Sequence, residues 1–380
     1  MNTWNGNKNK QCDLKNSVMS SNSPMKRVLT LQSLCHTIKD AQYAVRGELA
    51  IKSESMVKQG KKVIQCNIGN PQALNQKPIT FLRQVSAIVD YPELLNHDFP
   101  LDVKKRASKI LQECHSVGSY SHSKGIPFIR KKVAAYIEER DGHPSNPEHL
   151  FLTDGASPAV QMILRLLIQN SQVGIMIPIP QYPLYSAAIV LNGGTIVDYQ
   201  MTEQGGWDIN LKTIEASLNK SRAKGIDVRA ICVINPGNPI GNVMSLSSMK
   251  DILRFCHKNG LVLLADEVYQ TNVYLNKPWY SFKKVLMEMD IQNEVELFSF
   301  NSTSKGFIGE CGRRGGYLEA TNIDEQVLDE LYKLASINLC SNVMGQIGID
   351  VMVDPPKSGD PSYKLYNREK QDILGSFLLI

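Results

Sequence analysis

The spacing of apolar segments after about residue 149 constrains the fold more than any other feature of this sequence. Short apolar runs of strand length alternate there with longer segments in which apolar residues recur at helical spacing. Strands separated by helices of this length are typical of a mainly parallel sheet with helices on both faces. Ligands of such α/β folds bind beyond the carboxyl ends of the strands, so reactive residues are expected there.

The pattern predicts the following elements. The predicted strands are Leu150–Thr153, Val173–Ile177, Arg229–Asn235, Leu261–Asp266 and Val295–Phe300. The predicted helices are Ala159–Ile168, Leu211–Lys224, Ser248–Lys258 and Tyr363–Ile380.

Length and composition exclude several classes of protein. A chain of 380 residues is too long for one ordinary core and suggests a large domain and a smaller one. Apolar residues make up 42% and charged residues 21%, which excludes a disordered or fibrous protein. The net charge of +5 is spread along the chain, so no nucleic-acid partner is expected. The best apolar run, Ala159–Ile168, is interrupted by Arg165, and no run reaches the roughly 18 residues of a membrane span.

Cysteine usage and the first residues bear on the compartment. The eight cysteines are scattered without a C-x-x-C pair, which favours a reducing compartment. The first 27 residues are rich in Asn, Ser and Lys and lack an apolar core, so they do not form a secretory signal. A disordered tail is predicted over residues 1–27. We expect a cytoplasmic protein, with the mitochondrial matrix as the alternative.

Lys305 ends the motif Ser302-Thr-Ser-Lys305 directly after a predicted strand, and Arg314 follows nine residues later. A lysine among small hydroxyl residues at a strand end can be desolvated, which lowers its pKa toward the range in which a free amine attacks a carbonyl. The hydroxyls of Ser302 and Ser304 and the forked guanidinium of Arg314 suit a phosphate group. The competing interpretation is an exposed loop lysine followed by a surface arginine.

Asp266 ends another apolar run, where a carboxylate is costly unless it pairs with a cation or caps a turn. Beside a cofactor with a pyridine ring, it would keep the ring nitrogen protonated. Tyr269 and Asn238, which follow two of the predicted strands, can each hydrogen-bond a ring oxygen. A turn cap remains the alternative for Asp266, and a tight turn explains the Pro and Gly residues around Asn238.

Ala156, Ser157 and Pro158 stand between a predicted strand and a predicted helix. Pro158 fits the first helical turn and Ser157 is predicted to cap it, so the free amides at this helix start would seat a phosphate. Capping without a ligand is the alternative. Tyr182 follows the second predicted strand and either stacks on a flat cofactor or packs in the core.

Other chemistries lack a motif. The seven histidines form no H-E-x-x-H, and the chain contains no P-loop, no G-x-S-x-G and no G-x-G-x-x-G. No metal site is predicted. Lysine, acid, amide, aromatic, hydroxyls and arginine at the ends of successive strands therefore form the candidate site.

Four longer motifs carry a family resemblance. They are Ile177-Pro-Ile-Pro-Gln-Tyr-Pro-Leu-Tyr-Ser-Ala-Ala188, Val233-Ile-Asn-Pro-Gly-Asn-Pro239, Leu263-Leu-Ala-Asp-Glu-Val-Tyr-Gln270 and Gly309-Glu-Cys-Gly-Arg-Arg-Gly-Gly-Tyr317. From about Val28 to near Lys370 the sequence resembles the alanine aminotransferases, within the fold-type I pyridoxal-phosphate enzymes. The resemblance implies an α/β fold with a mainly parallel seven-stranded sheet, helices on both faces, and a small α+β domain that is incomplete here.

The same resemblance implies roles for the candidate residues. Pyridoxal 5′-phosphate would form a Schiff base with Lys305, which would also move the substrate proton. Asp266 would lie at the pyridine nitrogen, Asn238 and Tyr269 at the ring oxygen, and Tyr182 on the ring face.

Further roles concern the phosphate, the substrate and a second subunit. The implied phosphate-binding residues are Ala156, Ser157, Ser302, Ser304 and Arg314. Tyr120 would reach the phosphate held by the neighbouring subunit, which implies a homodimer. Gly69 would lie against the substrate.

The chain departs from the family pattern at three places. Ile240 stands where the family usually has Thr, and Phe128 where a smaller residue is typical. The family continues for about a quarter of its length beyond Ile380, and that part carries the arginine that binds the substrate carboxylate. We therefore expect a tail over 1–27, an arm and part of the small domain over 28–115, the large cofactor domain over 116–355, and the start of an interdomain helix over 356–380.

Three hypotheses about function follow. The first is reversible amino transfer between L-alanine and 2-oxoglutarate, giving pyruvate and L-glutamate. The second is an aminotransferase with another pair of substrates, such as glutamate and glyoxylate. The third is a catalytically silent chain, suggested by the apolar end Phe377–Ile380 and the arginine that is not found here.

Overall fold

A computed structural model gives the structure of the chain. It describes residues 28–43, 47–64, 69–274 and 277–376. The predicted disordered tail over residues 1–27 and the apolar end Phe377–Ile380 lie outside the described residues.

The described residues form the following elements. The strands are β1 (Leu150–Thr153), β2 (Val173–Ile179), β3 (Thr195–Gln200), β4 (Asp227–Ile234), β5 (Val262–Asp266), β6 (Leu297–Ser302) and β7 (Gly316–Thr321). The helices are α1 (His36–Asp40), α2 (Glu48–Lys58), α3 (Thr80–Asp90), α4 (Leu101–Cys114), α5 (Pro127–Asp141), α6 (Ala156–Leu167), α7 (Leu184–Leu191), α8 (Leu211–Arg222), α9 (Leu246–Asn259), α10 (Phe282–Met287), α11 (Glu325–Ile337), α12 (Val343–Val353) and α13 (Tyr363–Ser376). Short 3₁₀ helices cover Gln72–Leu74, Pro92–Asn96, Pro147–His149, Glu203–Gly205 and Cys311–Arg313.

All seven strands join one sheet in the order β1-β7-β6-β5-β4-β2-β3. Strand β7 runs antiparallel to both of its neighbours, and the pairs from β6 to β3 are parallel. The predicted α/β fold with a mainly parallel seven-stranded sheet is confirmed. Because β4, β5 and β6 are adjacent and parallel, their carboxyl ends meet at one edge of the sheet.

Helices cover both faces of the sheet, as its buried strands require. One face packs on α6, α7 and α11 through a core that includes Ile175, Leu264 and Phe300. On the other face, α8, α9 and α10 bury the alternate residues of the parallel strands. A third core joins α3 and α4 to α5, α12 and α13. The proposed division at residue 115 remains a prediction, since the helices on its two sides share this core.

The predicted element types are correct, and most of their bounds shift by a few residues. Strand β1 has the predicted bounds, and β6 begins at Leu297 because Val295 still accepts a hydrogen bond from the loop residue Asn322. The sequence pattern missed β3 and β7. Strand β7 carries the buried Glu319, which interrupts the apolar run that marks a central strand.

Two other sequence features have a clear place in the fold. Phe128 lies in the first turn of α5, with the ammonium of Lys132 at 4.5 Å from its ring centroid. The predicted helix from Tyr363 onward is present as α13. No helix within the described ranges has the length and apolar character needed to cross a membrane.

Candidate active site

The adjacent ends of β4, β5 and β6 bring the predicted reactive residues together. Asp266 is the last residue of β5, and Lys305 follows the end of β6 by three residues. Asn238 follows β4 in the loop of the motif Asn235-Pro-Gly-Asn-Pro. Three residues far apart in the sequence therefore share one sheet edge, as the strand pattern predicted.

Lys305 lines a cleft of about 710 Å³ together with Gly69 and Tyr269. Its Nζ donates to the carbonyl oxygen of Gly69 over 3.0 Å and lies 5.7 Å from the ring centroid of Tyr269. Burial lowers the pKa of Lys305, although the nearby Cys311 and Asp266 oppose this shift. A larger fraction of this amine is consequently unprotonated near neutral pH than for an exposed lysine.

Asp266 is buried, with 5% of its surface exposed. Its Oδ2 accepts a hydrogen bond from the hydroxyl of Tyr185 over 2.9 Å, and burial raises its pKa to about 6. The alternative of a turn cap is met by one long bond, because the amide of Val268 donates to Oδ1 over 3.4 Å. A cation placed against this carboxylate would offset the cost of burying it.

Tyr269 lines the same cleft, and aromatic and amide groups lie near it at the strand ends. Nδ2 of Asn238 donates to the hydroxyl of Tyr269 over 3.2 Å, so the two predicted ring-oxygen partners are in contact. Burial raises the pKa of Tyr269 to about 12, and the phenol therefore keeps its proton at neutral pH. Tyr182 is half-buried, and its hydroxyl is 3.1 Å from that of Tyr43 in the N-terminal segment.

The helix start that is predicted to bind a phosphate differs from the prediction in its cap residue. Helix α6 begins at Ala156 with Gly155 as its N-cap, so the prediction that Ser157 caps the helix is wrong. Gly155 has φ +89°, a backbone conformation that other residues rarely adopt, and the turn therefore occurs before Ser157. No side chain caps this helix start, which leaves the amides of Ala156 and Ser157 available to an anion.

Arg314 lies directly against this helix start. A Cβ atom added to Gly155 would be 2.6 Å from Nη2 of Arg314. Nη2 donates to the carbonyl of Asp154 and Nη1 to that of Cys311, each over 2.8 Å. These bonds fix the guanidinium in place and leave other N–H groups of its five free to bind a ligand.

The serines of the lysine motif complete the phosphate side. Ser302 pairs with Gly316 across the sheet, and Gly316 lies against the backbone of Gly155. The hydroxyl of Ser302 accepts from the amide of Ser304 over 3.3 Å. Hydroxyls, free helix amides and an anchored arginine form a donor set whose chemistry fits a phosphate group.

Within one chain, Tyr120 is not part of the candidate site. Its side chain is 78% exposed, and it does not line the cleft that contains Lys305. Across the described residues, no set of three or more His, Cys, Asp or Glu side chains is arranged to hold a metal ion.

Two contacts at the site were not predicted from the sequence. The first is Tyr185, whose only sequence signal is a hydroxyl within an apolar helical run. The second is Asn272, whose Oδ1 accepts from the amide of Gly306 over 3.0 Å and holds the turn that follows Lys305. Asn272 stands in a polar loop and gave no signal.

Comparisons with known proteins show which family this chain resembles. The family model described as "Aminotransferase class I and II" matches residues 87–373. "Probable alanine aminotransferase, mitochondrial" of Dictyostelium discoideum is 47% identical over 373 residues, which cover 92% of this chain and 70% of that protein. "Glutamate--glyoxylate aminotransferase 2" of Arabidopsis thaliana is 49% identical over 359 residues, which cover 92% of this chain and 75% of the relative.

Solved structures show the same fold at lower identity. An alanine aminotransferase from Pyrococcus furiosus matches with a TM-score of 0.71 at 21% identity, covering 91% of this chain and 75% of that one. An aminotransferase from Escherichia coli matches with a TM-score of 0.69 at 23% identity, covering 88% and 76%. The chain therefore belongs to the class I and II aminotransferases, a family whose enzymes carry pyridoxal 5′-phosphate.

Proposed function

We propose that this chain binds pyridoxal 5′-phosphate at the sheet edge and transfers the amino group of L-alanine to 2-oxoglutarate. The observation that carries the proposal is the pairing of a lysine of lowered pKa with a buried carboxylate at adjacent strand ends. A lowered pKa increases the fraction of lysine in the unprotonated form that attacks a carbonyl carbon, and a cation beside a buried carboxylate offsets the cost of burying it. The relatives named alanine aminotransferase support the choice of alanine.

The donor groups at the strand ends and at the start of α6 suit each part of the cofactor. The amides of Ala156 and Ser157, with Arg314, Ser302 and Ser304, are the proposed phosphate ligands. Asp266 faces the ring nitrogen, Asn238 and Tyr269 bond the ring oxygen, and Tyr182 stacks on the ring. When bound, the cofactor supplies an electron sink for the charge that develops at the substrate carbon.

Lys305 carries the proton chemistry in this proposal. Its amine would take the proton from the substrate Cα and deliver it to the cofactor carbon that receives the amino group, which requires the unprotonated form that burial favours. The carbonyl of Gly69 accepts a hydrogen bond from Nζ and so orients the lysine toward the cleft. Asp266 stays ionised beside a positively charged ring nitrogen, because an opposite charge lowers the pKa of a buried carboxylate.

The absorption spectrum of the purified chain with pyridoxal phosphate tests the proposal. We expect a cofactor band that is covalently trapped by borohydride, and a change of that band when L-alanine is added. A Lys305→Ala chain is expected to bind the cofactor without trapping it. A natural chain that gives no band, or a Lys305→Ala chain that is trapped equally well, would refute the assignment of Lys305.

A second substrate pair has its own support. Two relatives from Arabidopsis thaliana at 49% and 48% identity are named glutamate–glyoxylate aminotransferases. The ratio of kcat/KM for 2-oxoglutarate and glyoxylate separates the two candidates. A ratio above ten, which corresponds to a difference of about 1.4 kcal/mol in activation free energy between the two acceptors, favours the alanine–2-oxoglutarate pair. A cofactor band that forms but does not change when L-alanine or L-glutamate is added would instead favour the third hypothesis, a catalytically silent chain.

We further propose that the chain acts as a homodimer in the cytoplasm. The exposed Tyr120 and the exposed apolar residues Val28, Leu29 and Leu49 are the surfaces that a second copy would cover. The buried unpaired Cys232 fits a reducing compartment, and the mitochondrial matrix is the alternative because several relatives are named mitochondrial. Sedimentation of the purified chain and imaging of a fluorescent fusion test the two statements separately.

A further inference from the structure

Tyr185 is a buried residue that the proposed function does not use, yet it contacts the central carboxylate of the site. Its side chain is fully buried in the core between the sheet and α7, and its hydroxyl donates to Oδ2 of Asp266 over 2.9 Å. We propose that Tyr185 is a positioning residue, which holds the Asp266 carboxylate ionised and oriented toward the ring nitrogen of the cofactor. The inference rests on the proposed function, because Asp266 contacts a ring nitrogen only if a pyridine ring binds at this site.

The fold places Tyr185 behind the carboxylate and not inside the cleft. Helix α7 starts at Leu184, immediately after the segment that carries Tyr182. One short segment therefore supplies both the aromatic proposed to stack on the ring and the hydroxyl that reaches Asp266 from the core. Tyr185 does not line the cleft of Lys305, so it acts on a ligand only through Asp266.

The protonation states of Tyr185 and Asp266 determine which of them donates the hydrogen bond. An ionised carboxylate can only accept, and a tyrosine has one O–H to donate. Burial raises the pKa of Tyr185 well above its usual value, and burial does the same for the neighbouring Cys232, so both keep their protons. The Tyr185 proton is thus directed to Asp266, where it favours the ionised form against the effect of burial.

The alternative is a purely structural role, in which the hydrogen bond of Tyr185 only provides its buried hydroxyl with an acceptor. The fold contains a tyrosine of that kind. Tyr199 is 2% exposed, and its hydroxyl donates to the backbone carbonyl of Cys232 over 2.8 Å. The two tyrosines share size and full burial against the sheet, Tyr185 from helix α7 on one face and Tyr199 from strand β3 in the core of the other face. They differ in the acceptor, which is a backbone oxygen for Tyr199 and the carboxylate of Asp266 for Tyr185. Tyr199→Phe is therefore a matched control for Tyr185→Phe.

The experiment measures the affinity of each chain for pyridoxal phosphate and for its 1-deaza analogue, which has a carbon in place of the ring nitrogen. We expect Tyr185→Phe to weaken the binding of pyridoxal phosphate about tenfold, equivalent to about 1.4 kcal/mol. It should leave the binding of the 1-deaza analogue within about twofold, about 0.4 kcal/mol, because that ring offers Asp266 no partner. Tyr199→Phe should leave both affinities within the same limits.

A double-mutant cycle isolates the contact from general loosening of the core. In an Asp266→Asn background, Tyr185→Phe should change the affinity less than about twofold, about 0.4 kcal/mol, because the residue acts through the carboxylate. Thermal unfolding of the cofactor-free chains measures the structural effect separately, and Tyr185→Phe is expected to lose more stability than Tyr199→Phe because its acceptor is a buried carboxylate.

The outcomes separate the inference from the function on which it rests. If the natural chain does not bind pyridoxal phosphate, the proposed function fails and the inference falls with it. If the natural chain binds but Tyr185→Phe binds equally well, the positioning role alone is overturned. Equal losses for pyridoxal phosphate and the 1-deaza analogue also overturn it, since they would show a structural effect that does not pass through the ring nitrogen.

Discussion

Replacing Gly155 by alanine is expected to weaken the binding of pyridoxal phosphate about ten- to a hundredfold. The added Cβ would be 2.6 Å from Nη2 and 3.2 Å from Cζ of Arg314, so the guanidinium must move. A hydrogen bond to a charged group contributes about 1.5–3 kcal/mol, and about 1.4 kcal/mol corresponds to a tenfold change in affinity. Displacing this one ligand from the phosphate accounts for the expected range.

The same change also has a cost in stability. Gly155 combines φ +89° with ψ 175°, a region that is almost restricted to glycine and costs other residues about 1–3 kcal/mol. Gly142, which ends α5, is a useful control because its φ is +77° and no atom of the described residues, its chain neighbours aside, lies within 4 Å of an added Cβ. Gly142→Ala is expected to cost about 1 kcal/mol of unfolding free energy and to leave the cofactor affinity unchanged.

Titration of cofactor absorbance and urea unfolding of the cofactor-free chains measure the two effects independently. A Gly155→Ala chain that binds pyridoxal phosphate as tightly as the natural chain would refute the phosphate site at the start of α6. A Gly142→Ala chain that loses affinity to the same degree would show that loss of stability alone explains the result.

Other predictions concern single groups. Arg314→Lys keeps the charge but not the fork, so cofactor affinity should fall about tenfold in the same titration; an unchanged affinity would contradict the phosphate role. Asp266 has its pKa raised to about 6 in the folded chain against about 3.9 unfolded, so the natural chain loses stability as pH rises between these values. The stability of Asp266→Asn relative to the natural chain should therefore increase by about 2–3 kcal/mol from pH 4 to pH 7, measured by urea unfolding, and a constant difference would contradict the shift. Lys283→Met leaves the buried Glu319 without its cationic partner and should cost about 3–5 kcal/mol of unfolding free energy. Replacing both residues by apolar ones should restore much of that stability. A Lys283→Met chain as stable as the natural chain would contradict the stabilising role of this ion pair.

The sequence predicted those parts of the fold in which periodicity and burial agree. The strands β4, β5 and β6 are apolar runs bounded by polar loops, so their positions were predicted within two residues at each end. Strand β7 was missed because the buried Glu319, which pairs with the buried Lys283, interrupts its apolar residues. Such a strand has no apolar run, and only the three-dimensional pairing identifies it.

The candidate site was predictable by residue type and less so by contact. Strand ends indicated Asp266 and Lys305, and the resemblance supplied the identity of their ligand. At the start of α6, the preference of serine for caps favoured Ser157, whereas the positive φ of Gly155 places the helix start one residue earlier, at Ala156. Side-chain propensity and backbone conformation compete at such a turn, and the sequence alone did not decide between them.

The contacts behind the site explain how the fold can hold a carboxylate and an amine at an apolar sheet edge. Asp266 is buried and its pKa is raised, while the pKa of Lys305 is lowered, so the chain alone bears an electrostatic cost at both positions. The Tyr185 hydroxyl and the Gly69 carbonyl each offset part of that cost without neutralising either group. A ligand with a positive ring nitrogen and an electrophilic carbon would interact with both, and its binding would stabilise the folded chain by mass action. The groups that make the isolated site costly are therefore the ones that the proposed cofactor would use.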